Sequence, residues 1–492
     1  MTRTNDTRFL IIGAGDAGRM AAEEMRRHAD SGLVPVGFID DDPAKLGTTV
    51  AGIPVVGDRS RIHDAIASLG ADEILIALPS ASGAAIRGIV RWCESERVRF
   101  RVVPGIWEII RGDVHLQQIR PVKAEDLLGR ETVELDVDLV RGAYRGKRLL
   151  VTGAGGSIGS EICRQLLAAE PAELVLLGRG ENSIFEADLS FRERGGAPDA
   201  RIDTVIGDVR DAALVERLVA RVKPHAIFHA AAHKHVWLME QHPAEAVANN
   251  VLATAGLIDA AVRQGAERFV LISTDKAVNP HAVMGATKRL AEIHLLQRAA
   301  ALASTGSATK LMAVRFGNVL GSRGSVVPIF QRQIGRGGPV TVSHPEAARF
   351  FMTIKEAALL VIEAGAIGNG GEIFVLDMGE QVVIAELARD LIILSGLRPD
   401  VDVPIAFTGL KPGEKLREGL VHDFETLAST PVAGVRVTTG LKPGQPAIDA
   451  AALAELRRLA EAADRDGIVA AIERLVPEAR LAREAPGRPA GR

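Results

Sequence analysis

Two apolar runs, each leading into a glycine-rich turn and then a helical pattern, constrain the fold more than any other feature of this chain. The first run is 8–12, and a helical pattern over Asp16–Arg27 follows its glycines. The second is Arg148–Thr152, followed by glycines within 153–159 and a helical pattern over 160–169. A strand, a glycine turn and a helix in this order are typical of dinucleotide-binding α/β domains. The sequence therefore predicts two such domains.

Further apolar runs extend each unit into a larger sheet. They lie at 34–39, 73–77 and 100–103 in the first unit, and at 174–177, 204–206, Ala226–His229 and 269–272 in the second. Strands that alternate with helices indicate a parallel, doubly wound sheet. We therefore predict an α/β protein with two Rossmann-like sheets, in a chain whose 492 residues exceed one ordinary domain.

These patterns also predict domain boundaries. The four predicted segments are an N-terminal nucleotide-binding domain (1–125), a linker (126–146), a catalytic domain with a small C-terminal substrate subdomain (147–425), and a helical extension with a disordered tail (426–492). The tail is predicted because the chain ends in APGRPAGR, which offers little apolar surface to bury.

Composition excludes several classes of protein. The 59 basic and 62 acidic residues leave a net charge of −3, which does not favour nucleic acid or a membrane surface as a partner. Two cysteines exclude a cysteine-rich metal site and fit a reducing compartment. Without a long apolar run or a signal peptide, we expect a cytoplasmic protein with no membrane span. Alternation along a strand separates His229, His233 and His235, so no metal site is expected.

The first glycine turn leaves two interpretations open. Gly13, Gly15 and Gly18 have the spacing of a dinucleotide-binding turn, and Asp40 ends the second predicted strand, where it would accept a ribose hydroxyl. However, Asp16 puts a negative charge inside the turn, where a pyrophosphate would lie. The turn is either a nucleotide site or a scaffold that keeps the fold without a cofactor.

The second glycine turn has GxxGxxG spacing, because Ile158 interrupts GxGxxG. This spacing is typical of short-chain dehydrogenases in their extended form, and it predicts a bound dinucleotide. An arginine after the second strand would pair with the 2′-phosphate of NADP, whereas a glutamate would take the ribose hydroxyls of NAD, so both cofactors stay open. The candidate cofactor residues are Gly153, Gly156, Ser157, Ile158, Gly159, Arg179, Glu181, Asn182, Asp208, Val209, Ala230, Ala231, Ala232 and Lys288.

Catalytic candidates follow the strand predicted at 269–272. Thr274, Asp275 and Lys276 come just past its carboxyl end, where the ligand crevice of a doubly wound sheet lies. Further on, Met284 and Lys288 have the i, i+4 spacing that places two side chains on one helix face. Short-chain dehydrogenases have tyrosine at the first of these two positions. The chain has one tyrosine, Tyr144, and it precedes the second glycine turn, so no ordinary tyrosine base is expected.

Several stretches of the second domain together resemble one family. They are TGAGGSIGSEICRQ, HAAAHKHV, LISTDKAVNPHAVMGATKR, RFGNVLGSRGSVVPIF and GLKPGEKL. The domain resembles the bacterial polysaccharide-biosynthesis nucleotide-sugar 4,6-dehydratases, extended short-chain dehydrogenases that act on UDP-N-acetylglucosamine. Methionine in the tyrosine position resembles the long members of that family, which usually carry an N-terminal membrane segment that we do not expect here.

The resemblance implies a UDP-sugar substrate, a tightly bound NADP or NAD, and roles for particular residues. Asp275 would protonate the departing C6 hydroxyl, Lys276 would remove the C5 proton, and Thr274 would bind the C4 hydroxyl. These roles require a raised pKa for Asp275 and a lowered one for Lys276. Met284 would only fill space, and Lys288 would hold the nicotinamide ribose. The implied substrate residues are Lys234 beside the sugar, Asn318 and Arg349 at the diphosphate, and Val327 and Glu414 at the uridine.

Two other functions fit parts of the same pattern. A nucleotide-sugar 4-epimerase has the same fold and cofactor but needs no acid–base pair at C5 and C6. A non-catalytic, dinucleotide-sensing scaffold of a glycan assembly complex would explain the missing tyrosine, although the other catalytic candidates are intact. We also expect a homo-oligomer.

Overall fold

A computed structural model of the chain describes residues 6–78, 83–103, 119–128, 135–193, 200–438 and 440–481. The chain forms two units, each made of several segments. The first comprises Met1–Glu131, Gly324–Glu346 and Val383–Thr408, and the second comprises Thr132–Arg323, Ala347–Val382 and Gly409–Arg492.

The strands and helices are numbered in chain order. The strands are β1 (Thr7–Ile12), β2 (Leu33–Ile39), β3 (Thr49–Val50), β4 (Ile53–Gly57), β5 (Glu73–Ile76), β6 (Arg99–Val102), β7 (Arg120–Pro121), β8 (Arg148–Thr152), β9 (Glu173–Gly178), β10 (Arg201–Ile206), β11 (Ala226–His229), β12 (Arg268–Ile272), β13 (Lys310–Arg315), β14 (Asn318–Val319), β15 (Val340–Val342), β16 (Ala348–Arg349), β17 (Phe351–Met352), β18 (Glu372–Leu376), β19 (Val382–Val383), β20 (Ile405–Phe407), β21 (Ala428–Ser429) and β22 (Val435–Thr438). The helices are α1 (Asp16–Arg27), α2 (Ile62–Leu69), α3 (Gly83–Trp92), α4 (Ala124–Leu128), α5 (Val137–Tyr144), α6 (Ser157–Leu166), α7 (Glu181–Glu193), α8 (Ala212–Val222), α9 (Val236–Gln241), α10 (Pro243–Val247), α11 (Ala253–Arg263), α12 (Val283–Ser304), α13 (Val326–Ile334), α14 (Ile354–Ile367), α15 (Ile384–Leu394), α16 (Ala450–Glu461) and α17 (Arg465–Leu475).

The first unit is built on a sheet with the strand order β3-β4-β2-β1-β5-β6-β7 within the described residues. Strands β2, β1, β5 and β6 run parallel, as predicted, and the apolar residues of β5 and β6 and of the carboxyl-terminal parts of β1 and β2 are buried. One later segment, 383–408, joins this unit through ion pairs: Asp390 lies 3.2 Å from Arg91, and Asp402 lies 2.6 Å from Arg97. The other, 324–346, pairs with 383–408 through β15 and β20. Both segments were predicted to belong to the catalytic domain, because local patterns do not reveal that a chain leaves one unit and returns.

The second unit contains a larger sheet, with the order β10-β9-β8-β11-β12-β13-β18-β22-β21 among the described strands. In this sheet order, the strands from β10 through β18 run parallel to one another. Strands β22 and β21 are added at the edge and pair antiparallel to their neighbours. Strands β8 and β11 coincide with their predicted bounds. Both faces of the central strands are covered, which is why these strands are continuous apolar runs. The prediction of a doubly wound parallel sheet is confirmed.

The segment predicted as a linker contains a buried helix. Helix α5 has Asp136 as its N-cap, whose carboxylate accepts from the Leu139 N–H at 3.0 Å. Its last residue, Tyr144, is fully buried and donates to the Ile362 carbonyl at 3.1 Å. The helix therefore belongs to the core of the second unit rather than to a solvated connection. Residues 129–134 of the predicted linker lie outside the described residues.

The C-terminal extension is helical, as its alanine- and leucine-rich pattern predicts. Asp449 and Asp464 are the N-caps of helices α16 and α17, and their side chains cap the first turns. The apolar faces of both helices share one buried cluster with helix α12. The predicted disordered tail, APGRPAGR at 485–492, lies outside the described residues. Of the helices that the structure describes, none combines the length and the apolar character needed to cross a membrane.

Candidate active site

The second glycine turn is closed so tightly that side chains do not fit. Gly153 has φ +67°, and a Cβ there would lie 2.7 Å from the Ala231 nitrogen at the end of β11. A Cβ on Gly159, in helix α6, would lie 2.2 Å from the Gly153 carbonyl oxygen. The strand, the turn and the helix therefore approach each other at backbone distance. This brings the amino terminus of α6 to the turn, where backbone N–H groups favour an anion.

A cavity of about 330 Å³ opens over this turn. The predicted cofactor residues that line it are Gly153, Gly156, Arg179, Asp208, Val209, Ala230, Ala231 and Ala232. Glu181 and Asn182 line a second, more open space of about 480 Å³, and Arg323 lines both. Ser157 accepts a hydrogen bond from the Arg323 N–H at 3.2 Å, and Ile158 packs against the core. This donor set, with its glycine cradle, fits a dinucleotide.

The residues that would select between NAD and NADP include both positively and negatively charged side chains. Arg210 donates to Asp208 through two nitrogens, at 2.8 and 3.1 Å, and this pair lowers the pKa of Asp208. Arg179 is exposed and lies 3.9 Å from the same carboxylate. Glu181 is exposed as well. An arginine and a carboxylate are thus both available near the adenosine end, so the alternatives from the sequence stay open.

Lys288 is buried at the second position of the i, i+4 pair. It is 4% exposed, and burial lowers the pKa of its ammonium to about 8, with Glu292 opposing the shift only in part. Among the described residues its ammonium has no hydrogen-bond or ion-pair partner. A buried ammonium without a protein partner fits a lysine that holds ribose hydroxyls.

Substitution of Gly159 tests the turn. We expect Gly159→Ala to weaken dinucleotide binding by about 1–3 kcal/mol, the usual cost of overpacking, because its methyl group would collide with the Gly153 carbonyl. That cost corresponds to about a ten- to hundredfold higher Kd, measurable by titration with NADH or NADPH. Gly256→Ala is the matched control, since no atom lies within 4 Å of a Cβ at that exposed helical position. Equal Kd values for both variants would contradict the prediction.

At the first glycine turn, the acidic residue Asp40 is engaged in hydrogen bonds with the protein. Asp40 accepts hydrogen bonds from the Ala14 N–H at 2.7 Å and from Lys45 at 3.0 Å. Burial raises the pKa of Asp40, but the bonds from the Asp42 N–H, from Lys45 and from Ala14 together lower it. The carboxylate predicted for a ribose is thus already bound to the turn and to a lysine.

His229, the histidine at the end of β11, is buried and hydrogen-bonded on both ring nitrogens. The ring of His229 forms one hydrogen bond with the Thr152 hydroxyl, at 2.6 Å, and another with the Thr254 hydroxyl, at 2.9 Å. Burial and the charge of Lys288 lower the pKa of His229 to about 3, so the ring is neutral. It links β8, β11 and α11. Within the described residues no group of three or more histidine, cysteine, aspartate or glutamate side chains could hold a metal ion.

The three catalytic candidates after β12 form one hydrogen-bonded group. The Thr274 hydroxyl donates to Asp275 Oδ1 at 2.9 Å, and Lys276 Nζ donates to the same oxygen at 2.9 Å. Asp275 is fully buried, and its Oδ2 has no hydrogen-bond partner among the described residues. Gly317 leaves room there, since a Cβ on it would lie 3.0 Å from Oδ2. One carboxylate oxygen is thus bound to the protein, and the other is free for a proton.

The pKa of Lys276 differs from the prediction. Burial lowers this pKa, but the charges of Asp275 and Glu418 outweigh burial and raise it above its usual value. The sequence analysis expected a lowered pKa, because a base must be neutral. Lys276 is instead an ammonium in this arrangement, which also donates to Asn318 Oδ1 at 3.0 Å.

Met284 occupies an apolar environment. It is 3% exposed and lies in the buried cluster that α12 shares with the C-terminal helices. Its carbonyl accepts from the Thr287 hydroxyl at 2.8 Å. Tyr144 is elsewhere in the core, and burial raises its pKa, so it offers no substitute base. The thioether therefore packs among apolar side chains.

A leucine should replace Met284 at little cost. The two side chains are close in volume, and such swaps in cores usually cost below about 1.5 kcal/mol. We expect Met284→Leu to keep most of the turnover of the native protein and nearly the same midpoint of thermal unfolding. A large loss of turnover in a folded Met284→Leu protein would assign the thioether a chemical role.

The predicted substrate residues are brought together only in part. Asn318 joins the catalytic group, whereas Lys234 donates to the Arg323 carbonyl at 2.9 Å. Arg349 is 7% exposed and pairs with Glu414 at 3.0 Å, so the predicted diphosphate ligand holds a carboxylate in this arrangement. Val327 lies in helix α13 of the first unit, and Glu414 lies in the second.

The sequence analysis missed Glu418. This residue is 8% exposed, and its carboxylate lies 4.0 Å from Lys276 and 3.1 Å from Lys415. Its Oε2 has no hydrogen-bond partner of good geometry in the described chain. The GLKPGEKL stretch pointed to this region, but no spacing rule connects a residue after that stretch with the end of β12.

The second unit combines a parallel sheet, a GxxGxxG turn, a polar triplet after β12 and a buried lysine. Together these features make the second unit an extended short-chain dehydrogenase. The chain belongs to the polysaccharide biosynthesis protein family, whose model matches residues 149–439. A second family model, described as a CoA-binding domain, matches residues 1–104.

Individual proteins agree with this assignment. The chain is 48% identical to the probable polysaccharide biosynthesis protein EpsC of Bacillus subtilis (strain 168) over 426 residues, which are 87% of this chain and 70% of that protein. It is 45% identical to the capsular polysaccharide biosynthesis protein CapD of Staphylococcus aureus over 419 residues, 85% of this chain and 69% of CapD. Among solved structures, Pen from Bacillus thuringiensis matches with a TM-score of 0.54 and 33% identity, over 60% of this chain and 87% of Pen.

Proposed function

We propose that the protein is a nucleotide-sugar 4,6-dehydratase that converts UDP-N-acetylglucosamine into UDP-2-acetamido-2,6-dideoxy-4-keto-hexose for the biosynthesis of a surface polysaccharide. The observation that carries the proposal is the Thr274–Asp275–Lys276 group just past β12, in which a buried carboxylate receives two hydrogen bonds of 2.9 Å on one oxygen. A carboxyl group and an amine in contact are what an elimination across C5 and C6 requires.

Each proton has a residue to carry it. A bound nicotinamide cofactor would take a hydride from C4 and later return one to C6. The C4 hydroxyl proton passes to the Thr274 oxygen as that hydroxyl gives its own proton to Asp275. Lys276, as a neutral amine, removes the C5 proton, and protonated Asp275 gives its proton to the C6 hydroxyl, which leaves as water. Lys276 then returns a proton to C5.

This cycle balances only from one starting state. Asp275 must begin as a carboxylate, since it receives the C4 hydroxyl proton, and Lys276 must begin as an amine, since it receives the C5 proton. At the end the carboxylate and the amine are restored. If Asp275 and Lys276 together carry one proton more, one of them can no longer accept its proton, either from the C4 hydroxyl or from C5. We therefore expect turnover to rise with pH as Lys276 loses its proton.

The alternatives predict different products. A 4-epimerase would return the hydride to C4 and would leave the mass unchanged, and a scaffold protein would leave the substrate untouched. The test is incubation of the whole protein with UDP-N-acetylglucosamine and mass spectrometry of the nucleotide sugar. A product lighter by one water supports the dehydratase. A product of unchanged mass with altered C4 configuration, or no product despite bound dinucleotide, contradicts it.

A further inference from the structure

Glu418 is a buried carboxylate that the proposed chemistry does not use, yet it is aimed at the proposed base. Its side chain is 5% exposed, and its Oε1 lies 4.0 Å from Lys276 Nζ. The distance is too long for a hydrogen bond but short for a buried carboxylate and an ammonium whose side chain is 20% exposed. Its other oxygen lies 3.1 Å from Lys415, which itself donates to the Val278 carbonyl at 2.7 Å. Glu418 is therefore held between two lysines.

The charges around Lys276 come from several segments. Asp275 lies beside it in sequence, Glu418 follows the GLKPGEKL stretch, and the positive charge of Arg349 acts from β16 in the opposite direction. Lys415 and His281 face Glu418 rather than Lys276. Asn318 contributes an uncharged acceptor. Since Asp275 must stay ionised at the start of the cycle, Glu418 is the remaining carboxylate whose charge acts on the amine.

We infer that Glu418 is a positioning residue that sets the pH at which Lys276 becomes a base. Its negative charge stabilises the ammonium, so the amine forms only at higher pH, and the same charge favours the moment when Lys276 takes the C5 proton. Lys415 moderates the effect by partly neutralising Glu418. The inference rests on the proposed function, because it assumes that Lys276 removes the C5 proton.

The first test is the pH dependence of turnover. Removal of a negative charge beside an ammonium lowers its pKa, so Glu418→Gln should move the rising limb of the kcat profile to lower pH. The expected shift is about one to three pH units, the usual effect of one charge at 4–6 Å. The maximum of kcat should also fall, since the amine becomes a weaker base. Glu418→Asp keeps the charge and should restore most of the native profile.

A matched control separates this role from general damage. Glu267→Gln removes an exposed carboxylate that pairs with Lys147 at 2.8 Å, away from the site. It should leave the pH profile unchanged. If Glu418→Gln lowers kcat but leaves the rising limb of the pH profile where it is in the native protein, Glu418 acts only on the structure and the inference is overturned.

The second test measures Lys276 without turnover. Only the neutral amine reacts with acetic anhydride, so the acetylation rate of Lys276 against pH, followed by mass spectrometry of its peptide, reports the proton directly. We expect the Glu418→Gln curve to lie at lower pH than the native curve. Coinciding curves in a protein that makes the 4-keto product overturn the inference alone. Separated curves in a protein that makes no such product overturn the proposed function and leave the electrostatic effect of Glu418 intact.

Discussion

Lys276→Met should abolish formation of the 4-keto sugar, with turnover reduced by about 10²–10⁴ or more, the scale of general acid–base catalysis. Lys276 is the one amine of the described residues that donates to Asp275; methionine removes it and offers no group that can take the C5 proton. Lys276→Arg should fail as well, because a guanidinium stays charged at any pH of the assay and cannot act as a base.

The measurement is the initial rate of product formation at saturating substrate, followed by mass spectrometry. Lys310→Met is a suitable control, because Lys310 lies in β13 and reaches only Asn369, at 3.4 Å. The dinucleotide content of the purified variants shows whether the second unit is folded. A Lys276→Met protein that turns over normally would transfer the base role to another residue.

Arg315→Met should destabilise the second unit by about 3–5 kcal/mol, the usual cost of removing one partner from a buried ion pair. Arg315 is fully buried between Glu292, at 2.8 Å, and Glu425, at 2.8 Å. Glu292 also accepts from Ser273 at 2.5 Å, directly before the catalytic triplet. The substitution leaves two buried carboxylates with fewer partners, since Arg289 reaches only Glu292 among them.

The change is measured as the urea midpoint of the second unit. The exposed pair of Arg298 and Asp259, at 3.0 Å, provides the control, since Arg298→Met should cost about 0–1 kcal/mol. Equal midpoints for the two variants would show that the buried cluster contributes no more than a surface pair.

The same cluster predicts how stability depends on acid. Burial raises the pKa of Glu292, but Arg315, Arg289 and the Ser273 hydroxyl outweigh burial and lower it to about 2, from 4.5 in the unfolded chain. A carboxylate with a depressed pKa in the folded state stabilises above its unfolded pKa, and that contribution is lost as pH falls from about 4.5 towards 2. We expect the midpoint of the native protein to fall through this window, and the midpoint of Arg315→Met to depend on pH much less.

Local patterns in the sequence predicted most of the central sheet. Strands β8 and β11 lie at their predicted positions because both faces of a central parallel strand are buried, and this requirement leaves an uninterrupted apolar run. The glycine turn was equally readable, since Gly153 and Gly159 meet backbone atoms only a few residues away or on the next strand. Met284 and Lys288 lie in one helix, α12, as their i, i+4 spacing predicts. All of these features depend on neighbours along the chain or on one standard crossover.

Other features depended on contacts between residues far apart in the chain, and only the tertiary structure decided them. Segment 383–408 joins the first unit through Arg91 and Arg97, and segment 324–346 joins it through the pairing of β15 with β20; no periodicity reveals either. The pKa of Lys276 is raised by Asp275, its neighbour in sequence, and further by Glu418, which the fold brings to 4.0 Å from a distant stretch. A sequence therefore shows which groups can act as acids and bases, because residue type sets their chemistry. Their protonation depends on burial and on neighbouring charges, and the fold alone determines both.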